Sequence, residues 1–391
     1  MGLSFRTIAL DRAPALLACL PDDAGFAFVR AGRGLVGWGE AARAGSAPQL
    51  RELLATAEVE DAVARPGTGP VAFFSLPFDG EPATPPFVVP EVVVGWDGEA
   101  AWATSAAGAR LELGPHELPP VPKIRYAGSS ITEVAWLEAV AKAIELIRSG
   151  DIDKVVLARD LRVWSKGKVD LRSVASALQA RFPECYVFSI DGLVGASPEL
   201  LAGRRGRSVR SLVLAGSAPR GHGRDDDERL GRALIASDKD RREHELSVAS
   251  VTPVLARHCS TLSVGEPSLL RLANVQHIAT WVRGDATTEA SALQLALELH
   301  PTAAVCGVPT QAALEVIRAL EGFDRGRYAG PVGWVDRRGD GDVAIALRCA
   351  ELDGERGRLF AGAGIVAGSV PEAELEETRV KLRAMQGALG G

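Results

Sequence analysis

Four glutamates crowd the first turns of a helix-like stretch near the C-terminus, Pro371-Glu372-Ala373-Glu374-Leu375-Glu376-Glu377-Thr378-Arg379-Val380-Lys381. A Gly-rich run, Gly362 to Gly368, precedes it. Glu374 and Glu377 are i, i+3 and Lys381 is i+4 from Glu377, so all three share a helix face. Ser369 with Glu372 reads as a capping box, and Pro371 suits a first helical turn. Alone, the stretch is either a solvated helix with acids at its positive end or a carboxylate pair able to hold a divalent cation. Other chemistry-bearing residues lie upstream. Lys154 opens an apolar strand, where a lysine either snorkels to water or points into a dry pocket as a general base. Glu199, in Ser197-Pro198-Glu199, is a turn residue or a buried general acid. Glu243 is a solvated helix residue or a metal ligand. Arg348, in the apolar Ala346-Leu347-Arg348-Cys349, either pairs structurally or forks onto a carboxylate.

The elements that must position these residues follow from periodicity. Residues 1 to about 120 alternate short apolar runs (Phe26 to Val29, Val71 to Phe74, Phe87 to Trp96) with turn residues, which predicts antiparallel strands joining the main body. Pro-rich Leu118 to Pro122 marks a seam. Helical spacing covers Thr132 to Ser149, Leu171 to Arg181, Leu293 to Leu299 and Gln311 to Leu320. The charged stretch Arg224 to Arg242 leads into a helix reaching Leu255. Strands are predicted at Lys154 to Trp164, Tyr186 to Ile190, Val209 to Leu214, Gly341 to Cys349 and Leu359 to Gly362. Ala215 to Gly221 reads as a turn-rich loop. The class is mixed α and β.

Composition narrows the function. With 391 residues, 47% hydrophobic and 24% charged, the chain has an ordinary globular make-up. Its net charge of −6 argues against a nucleic-acid-binding face. Five scattered cysteines without a CxxC pair support neither zinc nor a disulfide framework and fit a reducing cytosol. No signal peptide is evident and no run approaches a membrane helix, so a cytoplasmic protein without membrane contact is expected. His244 and His277 lack an HExxH or Cys/His partner set. Carboxylates without sulfur or paired imidazoles suit Mg²⁺ instead. Gly362, Gly364 and Gly368 imitate a dinucleotide turn, but the spacing is GxGxxxG and no room follows for a full βαβ unit.

Taken in order, nine segments resemble the chorismate-utilising enzymes, most closely the isochorismate synthases, over roughly residues 120 to 388. They are Lys154 to Arg159, Gly195 to Leu200, Leu214 to Ser217, Asp238 to His244, Asn274 to His277, His300 to Pro309, Phe323 to Trp334, Ala346 to Ala350 and the Gly362 to Lys381 stretch. Residues 1 to 120 match only loosely. The resemblance implies one chorismate-binding domain over residues 1–391, with a strand-rich 1–120 portion and a catalytic core at 121–391. Its fold would be like that of anthranilate synthase component I: α+β, two large, mainly antiparallel sheets packed together with helices outside.

Position by position, the resemblance makes Lys154 the general base on water and Glu199 the acid that protonates the departing hydroxyl. Glu243 and Glu377 become Mg²⁺ ligands, with Asp240 and Glu374 acting through water. Arg348 would bind the enolpyruvyl carboxylate, with Lys381 on the substrate side. Gly216 and Gly362 would approach the substrate by backbone, and His277 would support the pocket near the leaving group. The substrate implied is chorismate, a dianion, turned over to isochorismate. Ammonia-using relatives typically lack the lysine and work with a glutaminase, so water is the expected nucleophile and no glutaminase subunit is expected. A monomer is expected. A salicylate synthase, which goes on to eliminate pyruvate, is the nearest alternative, and a non-catalytic chorismate-binding protein the next. Whether the product feeds siderophore or menaquinone synthesis is open at this point.

Overall fold

The computed structural model describes residues 2–390. Its strands form a 13-stranded and a 10-stranded sheet, with helices packed around them, the mixed α+β arrangement expected. Among the described residues every ladder is antiparallel except Ser4–Leu10 against Glu58–Asp61. No helix among them is long and apolar enough to cross a membrane.

Each sheet is built from both ends of the chain. In the larger, Phe26–Arg30 pairs with Tyr186–Ile190, Val29 facing Val187. In the smaller, Val71–Ser75 pairs with Pro331–Asp336, Phe73 facing Trp334. Strands such as Val71–Ser75 and Tyr186–Ile190 are buried at every position, so their sequences run apolar instead of alternating.

The chain changes sheet at four short crossovers, and two carry chemistry. Leu193–Ser197 lies in the larger sheet and Leu200–Arg205 in the smaller, leaving Pro198 and Glu199 between them. Gly341–Ile345 lies in the smaller and Cys349–Asp353 in the larger, leaving Ala346 to Arg348 between. Pro90-Glu91 makes the third, between Phe87–Val89 and Val92–Trp96, and Gly39 to Ala41 the fourth, between Arg33–Trp38 and Ala42–Ala44. The first two run side by side: Ala196 N–H donates to Arg348 O at 3.1 Å and Ile345 N–H to Glu199 O at 3.3 Å.

Five local expectations are corrected. The single strand predicted at Gly341 to Cys349 is two, because Arg348 takes a left-handed φ of 49° at the corner. The run Phe87 to Trp96 is likewise split by Pro90, which has no N–H for a ladder. The predicted loop from Ala215 continues the strand Ser208–Pro219, with the ladder shifted at Gly216, whose φ is 74°; a glycine there adopts the bulge without a Cβ penalty. Ser369 is not a capping-box residue. The helix runs Pro371–Ala388 with Val370 as its uncapped N-cap, and Ser369 Oγ accepts from Val366 N–H at 3.2 Å instead. Pro371 does occupy the first turn. The charged stretch Arg224 to Arg242 is two helices, Arg224–Ala236 and Asp238–Ala256, with Ser237 capping the second by accepting from Asp240 N–H.

Candidate functional site

A pocket opens where the two crossovers meet the strands Lys154–Ser165 and Arg356–Ile365. Glu199, Gly216, Glu243, His277, Arg348, Gly362 and Lys381 line it. Lys154 and Glu377 stand just outside that lining. Lys154 is behind Glu243, and Glu377 is at an adjoining mouth with Lys239, Asp240 and Glu374. Segments over 220 residues apart in sequence therefore bring together all eleven residues singled out above.

Lys154 is wholly buried. Its Nζ donates to Ser247 Oγ at 3.0 Å and meets Glu243 Oε1 at 3.3 Å. Glu243 and Ser247 are one turn apart on the helix Asp238–Ala256, so one helix face supplies both contacts. The carboxylate fits there because residue 364 is glycine: a Cβ at Gly364 would lie 2.1 Å from Glu243 Oε1 and 3.3 Å from Lys154 Cε. Gly364→Ala is therefore expected to cost about 1–3 kcal/mol of stability by overpacking, read as a lowered unfolding midpoint in denaturant. Gly362, across from Ala158 in the same ladder, is also tight: a Cβ would sit 3.1 Å from Tyr328 Oη.

Glu199 is the acid-like group. Burial pushes its carboxyl up to about 8, against the Leu214 N–H that donates to Oε1 at 3.4 Å and the charges of Lys154, Lys381 and Arg348. At neutral pH it holds a proton it can donate. Arg348 reaches the same pocket from the neighbouring crossover. Its Nη2 donates to His277 Nε2 at 2.9 Å, while Nη1 is buried with no hydrogen-bond partner. A buried guanidinium with unused N–H groups is set to take an anionic oxygen. His277 is held neutral: burial, then Arg348 and Lys381, drive its pKa well below the ordinary value. With Nε2 accepting from arginine, Nδ1 carries the proton and donates to Gly216 O at 3.2 Å. His277 is thus placed as a brace for Arg348 and the Gly216 bulge.

Three carboxylates in and beside the pocket are held by an ammonium: Glu243 by Lys154, Glu374 by Lys239 at 2.6 Å, and Glu377 by Lys381 at 2.5 Å. Lys381 Nζ also donates to Gly362 O at 2.8 Å, tying the C-terminal helix to the pocket strand. Burial raises the carboxyl of Glu374, and Glu377 adds to the shift. Burial raises that of Asp240 too, with Glu243 and Glu377 contributing. Glu377 goes the other way: burial pushes it up, but Lys381 outweighs that and holds it below its usual range. The donor set is oxygen only. Among the described residues no three His, Cys, Asp or Glu side chains form a closed metal cage. Oxygen donors completed by waters and substrate oxygens are the chemistry that Mg²⁺ takes.

Sequence reasoning passed over several neighbours. Arg325 and Tyr328 line the pocket, Tyr328 stacked on Phe360 with centroids 5.1 Å apart. Both lie within the segment Phe323 to Trp334, so the signal was present without a role attached. Lys239, adjacent to Asp240, was hidden in the charged stretch. Ser247 had no sequence signal beyond its i+4 spacing from Glu243.

Comparison with known proteins matches residues 99–390 to the family model described as chorismate binding enzyme. The vibriobactin-specific isochorismate synthase of Vibrio cholerae is 34% identical over 352 residues, 88% of this chain and 84% of that one. The isochorismate synthase EntC of Escherichia coli is 41% identical over 264 residues, 66% and 68% of the two chains. The structure of the menaquinone-specific isochorismate synthase MenF of Escherichia coli superimposes with a TM-score of 0.84 at 26% identity, covering 99% of this chain and 95% of that one.

Proposed function

Because the chain belongs to the family of chorismate-binding enzymes, we propose that it is an isochorismate synthase, adding water to chorismate while the ring hydroxyl departs. The observation that carries this reading is Glu199. It is a buried carboxyl held protonated to about pH 8, in a pocket that also presents the half-used guanidinium of Arg348. Loss of hydroxide from a ring needs a proton donor at the leaving oxygen and a base on the attacking water. Glu199 donates the proton. Lys154, on a different strand, takes one from water as the neutral amine, having first given up the proton with which it pairs to Glu243, and the two together leave the overall proton count unchanged.

The substrate brings two carboxylates, and the pocket offers two cationic ends. Arg348 Nη1 takes the enolpyruvyl carboxylate, with His277 holding the guanidinium plane. At the mouth, Glu243 and Glu377 would hold Mg²⁺, with Asp240 and Glu374 placed to act through water. Bound there, the ion would supply positive charge for the ring carboxylate. Lys381, fixed by Glu377 and Gly362 O, adds a further positive charge on the substrate side. Gly216 and Gly362 let backbone approach the ring. By name, the relatives above include a vibriobactin-specific and a menaquinone-specific enzyme.

Arg348→Gln is expected to raise KM for chorismate by about 10–100-fold, the worth of a hydrogen bond to a charged group, with a smaller change in kcat. Steady-state kinetics over a wide substrate range checks it. The function itself is tested by incubating purified protein with chorismate and Mg²⁺ and separating the products by chromatography. Isochorismate alone is the expected product. Salicylate with pyruvate would assign the chain to the eliminating branch, and no turnover would make it a binding protein.

A further inference from the structure

The strand that begins with Lys154 is laddered to Arg356–Ile365 along one edge from Val155 to Trp164. Its other edge is laddered only at the ends: Lys154 and Val155 with Gly307–Val308, where Val156 N–H also donates to Cys306 O at 2.7 Å, and Val163 to Ser165 with Ile124–Tyr126. In between, side chains stand in for a neighbouring strand. Arg325 Nη2 donates to Val156 O at 2.8 Å, and Ala158 N–H donates to Glu321 Oε1 at 2.7 Å. Arg325 Nε donates to Glu321 Oε2 at 2.8 Å, Nη2 also reaches Glu321 Oε1, and Nη1 donates to Val305 O at 2.8 Å. The guanidinium lies over the Phe78 ring, 4.1 Å from its centroid. Glu321 and Arg325 are 2% and 3% exposed, so neither owes its place to solvent.

One rigid planar fork therefore bridges Val156 O and Val305 O, beside the backbone bond from Val156 N–H to Cys306 O, and Val156 and Val305 both line the pocket, as Arg325 does. Val156 is two residues from Lys154. We infer that Glu321 and Arg325 are a positioning pair for the hydration chemistry, fixing the width of the ring slot and the direction from which Lys154 presents its amine. A buried ion pair is poor evidence for stability, since apolar residues of similar bulk often serve as well. Its fork geometry supplies what they lack, a fixed distance between two walls. This inference rests on the isochorismate synthase reading.

The test compares the parent protein with the double variant Glu321→Leu/Arg325→Met, which leaves no lone buried charge, and with Arg325→Lys, whose single ammonium cannot span both walls. The folded double variant is expected to keep KM for chorismate within about twofold while kcat falls about 100-fold, the scale of a 1 Å misplacement. Arg325→Lys should show the same split to a smaller degree, and it decides the matter if the double variant does not fold. Amide exchange at Ala158 should accelerate in the double variant. A kcat within about threefold of the parent, a loss confined to KM, or unchanged protection at Ala158 would overturn the inference. A parent protein that makes no isochorismate would instead overturn the reading beneath it.

Discussion

Lys154→Met is expected to lower kcat by about 10²–10⁴-fold, the usual contribution of a positioned general base, with little change in KM for chorismate. Methionine keeps the length of the stem that fills the fully buried site. The substitution also removes the ammonium that meets Glu243 Oε1 at 3.3 Å and donates to Ser247 Oγ. A lowered midpoint in chemical unfolding should accompany the kinetic loss, because Glu243 is left without that partner. Circular dichroism separates the two effects: the variant is expected to be folded at assay temperature and nearly inactive. Near-parent kcat would remove Lys154 from the chemistry.

Glu199→Gln is expected to produce a loss of similar size, about 10²–10⁴-fold in kcat, and to change the pH profile. In the parent, activity needs protonated Glu199, so kcat should fall as pH rises through about 8. Glutamine keeps the shape and the contact with Leu214 N–H but has no proton to give, so the residual activity should lose that alkaline limb. Linkage has a matching sign. The carboxyl pKa is raised in the fold, so the proton stabilises the native state fully below the unfolded carboxylate range of about 4.3. That contribution is lost as pH climbs through about 8. The glutamine variant should therefore lose less stability than the parent between those limits, measured by urea unfolding at a series of pH values.

Much of the local structure was legible because it follows period and punctuation. The helix Leu171–Arg181 has its predicted bounds, and Glu133–Ser149 ends at Gly150 in the left-handed conformation, as a glycine after an apolar run implies. What a single sequence could not reveal was where the chain changes sheet. Arg348 looked like a strand residue because its neighbours are apolar. Those neighbours are apolar because the corner itself is buried between two sheets, and only backbone geometry distinguishes a corner from a strand. The same limit applied to Ala215 to Pro219, where small residues and proline suggested a loop but the ladder continues past a one-residue bulge.

The site was legible in its residue types and obscure in its pairings. Glu374 and Glu377 share a helix face as their spacing requires, yet their partners differ: Lys381 is local, whereas Lys239 comes from 135 residues away. The i, i+4 pair could be written down from the sequence; the distant one depends on how two helices meet at the pocket mouth. His277 was expected near the leaving group. In the pocket it braces Arg348, a contact between a strand of the smaller sheet and the corner between the two sheets that no local pattern encodes. Gly364 was noticed only for a glycine spacing, and its structural reason is the Glu243 carboxylate that would overlap a Cβ there.

The central claim is that solvent water becomes the new ring hydroxyl while Glu199 releases the old one. Turnover of chorismate in H₂¹⁸O, with the product analysed by mass spectrometry, tests it most directly. The account predicts one ¹⁸O in isochorismate and none in recovered chorismate at early times. Isochorismate formed without label would mean that the original hydroxyl migrates within the substrate, and would contradict it.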